Sequence, residues 1–224
     1  MVVFVELDDW KAARKPERKI LEGFYARLEP LSADRHAQTL FEAAAAPGAQ
    51  DRFRYLSDYP PSDFSELRGW IEKAEASADP LFFAVIDKAT GRAEGRQALM
   101  RVDTVHGAIE IGSIMWGPAI TRTRIATEAL FLLADHAFSL GYRRFEWKCD
   151  NANQPSMRAA ERFGFRFEGI FRQHMVVKGL NRDTAWYSIT DSEWPHLRAG
   201  YERWLHSDNF DSSGQQRSKL AFEL

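Results

Sequence analysis

Apolar and polar positions along the chain change period repeatedly, and each change predicts an element. Alternation over residues 24–28 predicts a first strand, and Pro30 followed by Ser32 opens a helix that runs to about Ala46, where Pro47-Gly48 ends it. Residues 53–59 are short and aromatic and break at Pro60-Pro61; Ser62 or Asp63 then caps a helix bearing Phe64, Leu67, Ile71 and Ala74 that stops before Asp79-Pro80. Three strands follow at 81–87, 94–102 and 108–116, separated by Thr90-Gly91 and a His106-Gly107 turn, so an antiparallel meander is expected. Ala126, Ala129, Leu130, Leu133 and Ala137 recur at helical spacing, which makes 123–139 the longest helix, with a small-residue face suited to close approach to a sheet. Residues 143–149 then alternate Phe145, Trp147 and Cys149 with Arg144, Glu146 and Lys148 as a strand. Strand, helix and strand in that order imply a parallel crossover.

The remaining pattern gives a helix over 153–163, with Pro155 tolerated in its first turn and Gly164 at its stop. Residues 165–177 and 184–190, joined around Gly179, form a closing hairpin. A final helix over 192–206 carries Trp194, Leu197, Tyr201 and Trp204, and this aromatic helix could serve as a homodimer surface. Residues 1–22 lack clear periodicity and read as an N-terminal arm or extended cover. The polar stretch 207–216 reads as mobile, ahead of a short 220–224 end. The expected division is therefore an arm at 1–22, one domain at 23–206 and a C-terminal tail at 207–224.

Composition narrows the classes without selecting one. The 224 residues suit a single domain, and 45% hydrophobic with 13% aromatic content suffices for a substantial core. Thirty basic against thirty-two acidic residues give a formal charge of −2, so nucleic acid is not an expected partner. Cys149, the single cysteine, rules out an intrachain disulfide, and without a Cys/His cluster no metal site is expected. Residues 1–5 are too short for a signal segment, and no run approaches the roughly 20 apolar residues of a membrane span. A cytoplasmic protein with no membrane partner is the expectation.

The chemistry concentrates at residues 121–128, which follow the break at Gly117-Pro118 and open the longest helix. Arg122 and Arg124 lie against the positive end of the helix dipole, at a cost of a few tenths to about 1 kcal/mol each. A bound anion reverses that sign, because the first-turn N–H groups and two guanidinium groups together make a phosphate or pyrophosphate site. The other reading is two solvated arginines at a loop end.

Two motifs resemble a known family. The first is Thr121-Arg122-Thr123-Arg124-Ile125-Ala126, followed by Thr127-Glu128-Ala129; the second is Asn153-Gln-Pro-Ser156, then Ala159-Ala160-Glu161-Arg162 and Phe163-Gly164-Phe165. With the order of elements they resemble the GNAT superfamily of acetyl-coenzyme A dependent N-acyltransferases over roughly residues 24–190, nearest the branch of the ribosomal-protein N-terminal acetyltransferases. The family's loop has Gln or Arg first and Gly fourth, where this chain has Thr121 and Arg124; Ala126 fits. Arg124 can still donate its backbone N–H while its side chain adds charge.

The resemblance implies a mixed α/β fold: a mostly antiparallel twisted sheet, helices on both faces and a splayed central strand pair. It implies that the strands at 108–116 and 143–149 part to admit the pantetheine arm of acetyl-coenzyme A against the backbone of Ile114, Met115 and Trp116. It places the pyrophosphate at Thr121, Arg122, Thr123, Arg124, Ile125, Ala126 and Thr127, and gives Asn153 and Ser156 roles toward the same cosubstrate. The implied activity is transfer of an acetyl group to a primary amine, a protein N-terminal α-amine or a small-molecule amine, by direct attack in a ternary complex. The departure from the loop pattern keeps an alternative open, a catalytically silent acyl-coenzyme A-binding sensor or partner module.

Particular residues carry paired readings. An amine must lose its proton before attack, and Glu110 is either the base, directly or through water, or a solvated strand carboxylate; Glu146, Asp150 and His174 are its rivals. Ser156 either donates a proton to the departing thiolate or caps its helix. Asn153 orients pantetheine or a water, or forms the turn before the helix. The aromatics at 53–59 line an amine entrance or pack between helices, Trp186 and Tyr187 contact the acceptor or pack the hairpin, and Cys149 is a buried strand residue.

Overall fold

The computed structural model describes residues 6–222; the opening residues 1–5 and the last two of the 220–224 end lie outside the described residues. Eight strands form one sheet in the order β1-β2-β3-β4-β5-β6-β8-β7. They are β1 (Leu21–Glu22), β2 (Ala26–Pro30), β3 (Leu81–Asp87), β4 (Arg92–Asp103), β5 (Ala108–Trp116), β6 (Arg144–Asp150), β7 (Arg166–Val177) and β8 (Leu180–Thr190). β1 to β5 pair antiparallel, through short turns except between β2 and β3, which are joined through three helices, and among the described residues β5 to β6 is the one parallel pair, bridged by a crossover helix.

Period-2 burial distributes β3 between two layers. Leu81, Phe83 and Val85 enter one core with Leu130, Leu133 and Ala137, whereas Phe82, Ala84 and Ile86 enter a second with Leu40, Leu67 and Ile71. The second core is covered by α1 (Ala33–Ala45), α2 (Ala49–Phe53) and α3 (Phe64–Ala76). The first is covered by α4 (Arg124–Ser139), α5 (Gln154–Arg162) and α6 (Trp194–Leu205). Asp63, not Ser62, caps α3: its carboxylate accepts from Glu66 N–H at 2.8 Å, and Glu66 in turn accepts from Ser62 N–H at 2.7 Å.

The short helix α2 and the two-residue β1 were not legible as periodicity. Both terminal segments pack on the domain. Ala13 is buried in the first core, its N–H donates to Thr104 O, and Trp10 donates from Nε1 to Val105 O, so residues 10–14 seal the β4–β5 turn. In the C-terminal tail, Trp204 Nε1 donates to Gln216 Oε1 and Ser218 O at 3.0 Å, and Phe222 packs on Tyr201. The stretch read as mobile is a hydrogen-bonded clasp, because Trp204 and Phe210 give its polar residues an apolar anchor.

Candidate active site

A register slip opens the sheet. In the β4–β5 ladder Arg96 faces Met115 and Ala98 faces Gly112, so Ser113 and Ile114 share the place opposite Gln97, a β-bulge. Ser113 takes a positive φ of 50°, and its carbonyl accepts from Nη1 of the fully buried Arg96 at 2.9 Å. Arg96 is itself held by Asp58 and by Trp70, whose ring centre lies 4.1 Å from the guanidinium carbon. Beyond the bulge β5 bends away from β6. Their pairing runs from Ala108↔Arg144 to Ile111↔Trp147 and stops, although both strands continue. After Ile111 the edge of β5 toward Lys148, Cys149 and Asp150 therefore has no strand partner, although the Ser113 carbonyl is taken by Arg96 and the Trp116 carbonyl accepts from Thr121 Oγ1.

A cavity of about 620 Å³ occupies this gap, lined among others by Glu110, Ile114, Trp147, Asn153, Ser156 and His174. Ile114 is therefore at the cavity, while the Met115 side chain turns into the core beneath α1 and α3 and only its backbone lies on the open edge. Trp116 donates from Nε1 to Gln97 Oε1 at 3.1 Å and stands edge-on to Phe163.

The other half of the site is the start of α4. Thr123 caps it, accepting from Ile125 N–H at 3.2 Å, and Thr121 Oγ1 donates to Gly117 O at 2.8 Å. Arg122 stands exposed in a left-handed conformation with φ 64°. These turns leave the N–H groups of Arg122, Arg124 and Ala126 without an acceptor among the described residues. Three unpaired donors at a helix start suit an anion.

Two side chains expected at that anion are elsewhere. The Arg124 guanidinium lies over the rings of Tyr25, at 4.0 Å, and Phe210, at 5.0 Å; the C-terminal clasp supplies the second ring, which the spacing of the motif could not reveal. Thr127 is buried, hydrogen-bonded to Thr123 O and to Arg162 Nη1. Only the backbone of Arg124 faces the loop. Next to them, the buried Glu128 accepts from the N–H groups of Phe24, Tyr25 and Ala26 at 2.8, 2.7 and 2.6 Å, tying α4 to the start of β2. A Cβ at Gly23 would sit 2.5 Å from the Glu128 carboxyl carbon, so this turn requires glycine.

At α5 the cap is Asn153, whose Oδ1 accepts from Ser156 N–H at 3.2 Å. Ser156 is one turn further in, and its Oγ accepts from Trp147 Nε1–H at 3.0 Å across the gap. Burial pushes the Cys149 thiol up from its ordinary range, with Ser156 and Arg182 acting against it, which keeps it a thiol rather than a nucleophile.

Glu110 is not a solvated face residue. It is 4% exposed, and its Oε2 lies 2.7 Å from Arg101 Nη1 and 2.9 Å from Lys148 Nζ. Lys148 is equally buried, bridges Glu110 to Glu146 at 2.7 Å and stands 3.6 Å from the Trp186 ring centre. Neither Lys148 nor Arg101 was marked by the sequence; alternation put Lys148 on a polar face that the hairpin turns out to cover. Among the rivals, Glu146 is held by Arg144 and Lys148, and Asp150 accepts from Ala152 N–H at 2.8 Å. His174 lines the cavity with Nδ1 2.9 Å from Thr184 Oγ1. Trp186 packs on Phe171 and Tyr187 on Phe167, so both belong to the hairpin. Of the aromatic stretch, Phe53 is core, whereas Tyr55 lines the cavity and donates from its hydroxyl to Ala152 O at 3.1 Å.

A mixed sheet with a parted parallel pair beside an unpaired helix start defines an acyltransferase that takes its acyl group from a coenzyme A thioester. The chain belongs to the acetyltransferase (GNAT) domain family, whose model matches residues 26–166, and it is an N-acetyltransferase. It is 60% identical to a GCN5-related N-acetyltransferase from Brucella melitensis, covering 96% of this chain and 97% of that one with TM-score 0.94. It is 28% identical over 151 residues to the uncharacterized N-acetyltransferase p20 of Bacillus licheniformis, covering 63% of this chain and 81% of that protein. The expected nearness to the ribosomal-protein branch rests on fold alone: a Salmonella typhimurium acetyl transferase that modifies the N-terminal serine of ribosomal protein L7/L12 shares 20% identity at TM-score 0.66. The family uses acetyl-coenzyme A as its cosubstrate. No helix among the described residues is long and apolar enough to cross a membrane.

Proposed function

We propose that the chain transfers the acetyl group of acetyl-coenzyme A to a primary amine in the β5–β6 cavity by direct attack. The observation that carries this reading is the end of β5–β6 pairing at Ile111 and Trp147, which leaves the β5 edge beyond Ile111 without a strand partner. The N–H groups of Arg122, Arg124 and Ala126 would hold the diphosphate, and the open edge the pantetheine amides.

Ser156 fits the role of proton donor to the departing thiolate. Its oxygen accepts the Trp147 indole proton, so the hydroxyl hydrogen remains available for donation, to the neighbouring Cys149 sulfur or to a thiolate in the cavity. Glu110 fits that of proton acceptor, directly or through a water. Its Oε2 is occupied by two cations, so Oε1, on the side of Gly112, is the free oxygen.

The test is thiol release from acetyl-coenzyme A against a panel of primary amines. Ser156→Ala should lower kcat about 100-fold with a smaller change in the KM for acetyl-coenzyme A. An unchanged kcat would remove Ser156 from the chemistry.

A further inference from the structure

The cavity holds more positive charge than the cosubstrate explains. Arg52, Arg54, Arg101, Lys148 and Arg182 line it against Asp51, Glu110 and Asp150. Arg101 and Lys148 are committed to Glu110, and Arg52 donates to the carbonyls of Ala44, Ala46 and Pro47. Arg54 and Arg182 have no carboxylate within ion-pair distance among the described residues. Arg182 spends only its Nε, on Thr184 Oγ1 at 3.2 Å, and Arg54 rests beside the Tyr55 ring. The unpaired donors at the α4 start form a separate place that shares no residue with this cavity, so the diphosphate does not account for the two arginines.

Two contacts hold the segments that carry these arginines. Lys178, in the β7–β8 turn, donates to Phe53 O at 2.8 Å and pins the hairpin to the residue before Arg54. Tyr55, the residue after it, is tied to Ala152 O at 3.1 Å. The loop and the hairpin bearing Arg182 are thus braced against each other, and two guanidinium groups with free terminal nitrogens lining one cavity suit a carboxylate.

Resting on the acetyl-transfer reading above, we infer that the acceptor is a primary amine that also carries a carboxylate, held by Arg54 and Arg182 while its nitrogen enters the β5–β6 gap.

The experiment compares matched acceptors with the full chain: β-alanine against propylamine, L-glutamate against its bis-amide, and a tripeptide amide beginning with aspartate against one beginning with asparagine. The acidic member of at least one pair should have kcat/KM ten or more times higher, and which pair responds distinguishes a free amino acid from a peptide terminus. Arg54→Ala and Arg182→Ala should each raise the KM for that acceptor about 10- to 100-fold, without a matching rise in the KM for acetyl-coenzyme A. Arg182→Lys should recover part of the loss. Equal use of acidic and neutral amines, or variants that weaken both alike, would overturn the inference. A second readout is calorimetric titration of the same amines onto the coenzyme A-bound protein. Binding of an acidic amine that is lost in both variants supports the inference even where no product forms, a result that would instead count against the transfer reading. Absence of such binding overturns the inference itself.

Discussion

The Arg124 guanidinium packs on two aromatic rings, leaving only its backbone N–H at the start of α4. Its position in a phosphate-loop motif suggested a cation for the diphosphate, yet its guanidinium lies between Tyr25 and Phe210, residues about 100 and 86 positions away in a chain whose spacing carries no hint of them. Arg124→Ala should therefore act on stability, costing about 1 kcal/mol for the lost cation–π contacts. In a chain of this size that is a fall of about 2–4 °C in Tm. The dissociation constant for coenzyme A, measured by calorimetry, should rise less than in Arg122→Ala, whose side chain is exposed at the same loop. A large loss of coenzyme A affinity with unchanged Tm would put the Arg124 side chain back at the phosphate. Ser156 and Glu110 were visible as chemistry-bearing types, but their partners Trp147, Arg101 and Lys148 come from strand register and burial, which no local pattern encodes.

The elements were largely legible, because period-2 and helical patterns follow from burial of one face. The exceptions are those made by side chains from elsewhere: α2, the two-residue β1, and the C-terminal clasp anchored by Trp204 and Phe210. The tie between α4 and β2 is of this kind. Removing the Glu128 carboxylate leaves three backbone N–H groups without their acceptor, so Glu128→Ala should cost about 3 kcal/mol or more, read as a lower urea midpoint. An unchanged midpoint would mean water replaces the carboxylate freely. Two helices also carry a pH dependence. Burial lowers the pKa of His36 on α1 and of His136 on α4 below 6.5. His36 Nδ1 already accepts from Ser32 N–H at 3.1 Å, and His136 Nε2 is buried without a partner. The unfolded chain takes up these protons near pH 6.5 and the native state only below that, so their stabilisation is complete above about pH 6.5 and is lost as pH falls below it. Urea unfolding at pH 7.5 and 5.5 should show the drop, and His136→Asn should flatten it. A slope unchanged in that variant would acquit His136.

On the scale of the whole molecule, the mixed sheet and its single parallel junction could be anticipated from strand–helix–strand order, since a crossover can be made in only one hand and place. The opening at that junction could not be derived from periodicity; the family resemblance implied it. Beside it lies the bulge at Ser113 and Ile114, held by Arg96 on β4, which is in turn held by Asp58 in the α2–α3 loop and Trp70 on α3. The proposed transfer depends on that opening, and a structure of the chain with coenzyme A bound tests it most directly. The account predicts pantetheine amides hydrogen-bonded to the β5 backbone between Gly112 and Trp116, with the diphosphate on the N–H groups of Arg122, Arg124 and Ala126. A carrier bound elsewhere, with that edge still unpaired, would contradict it.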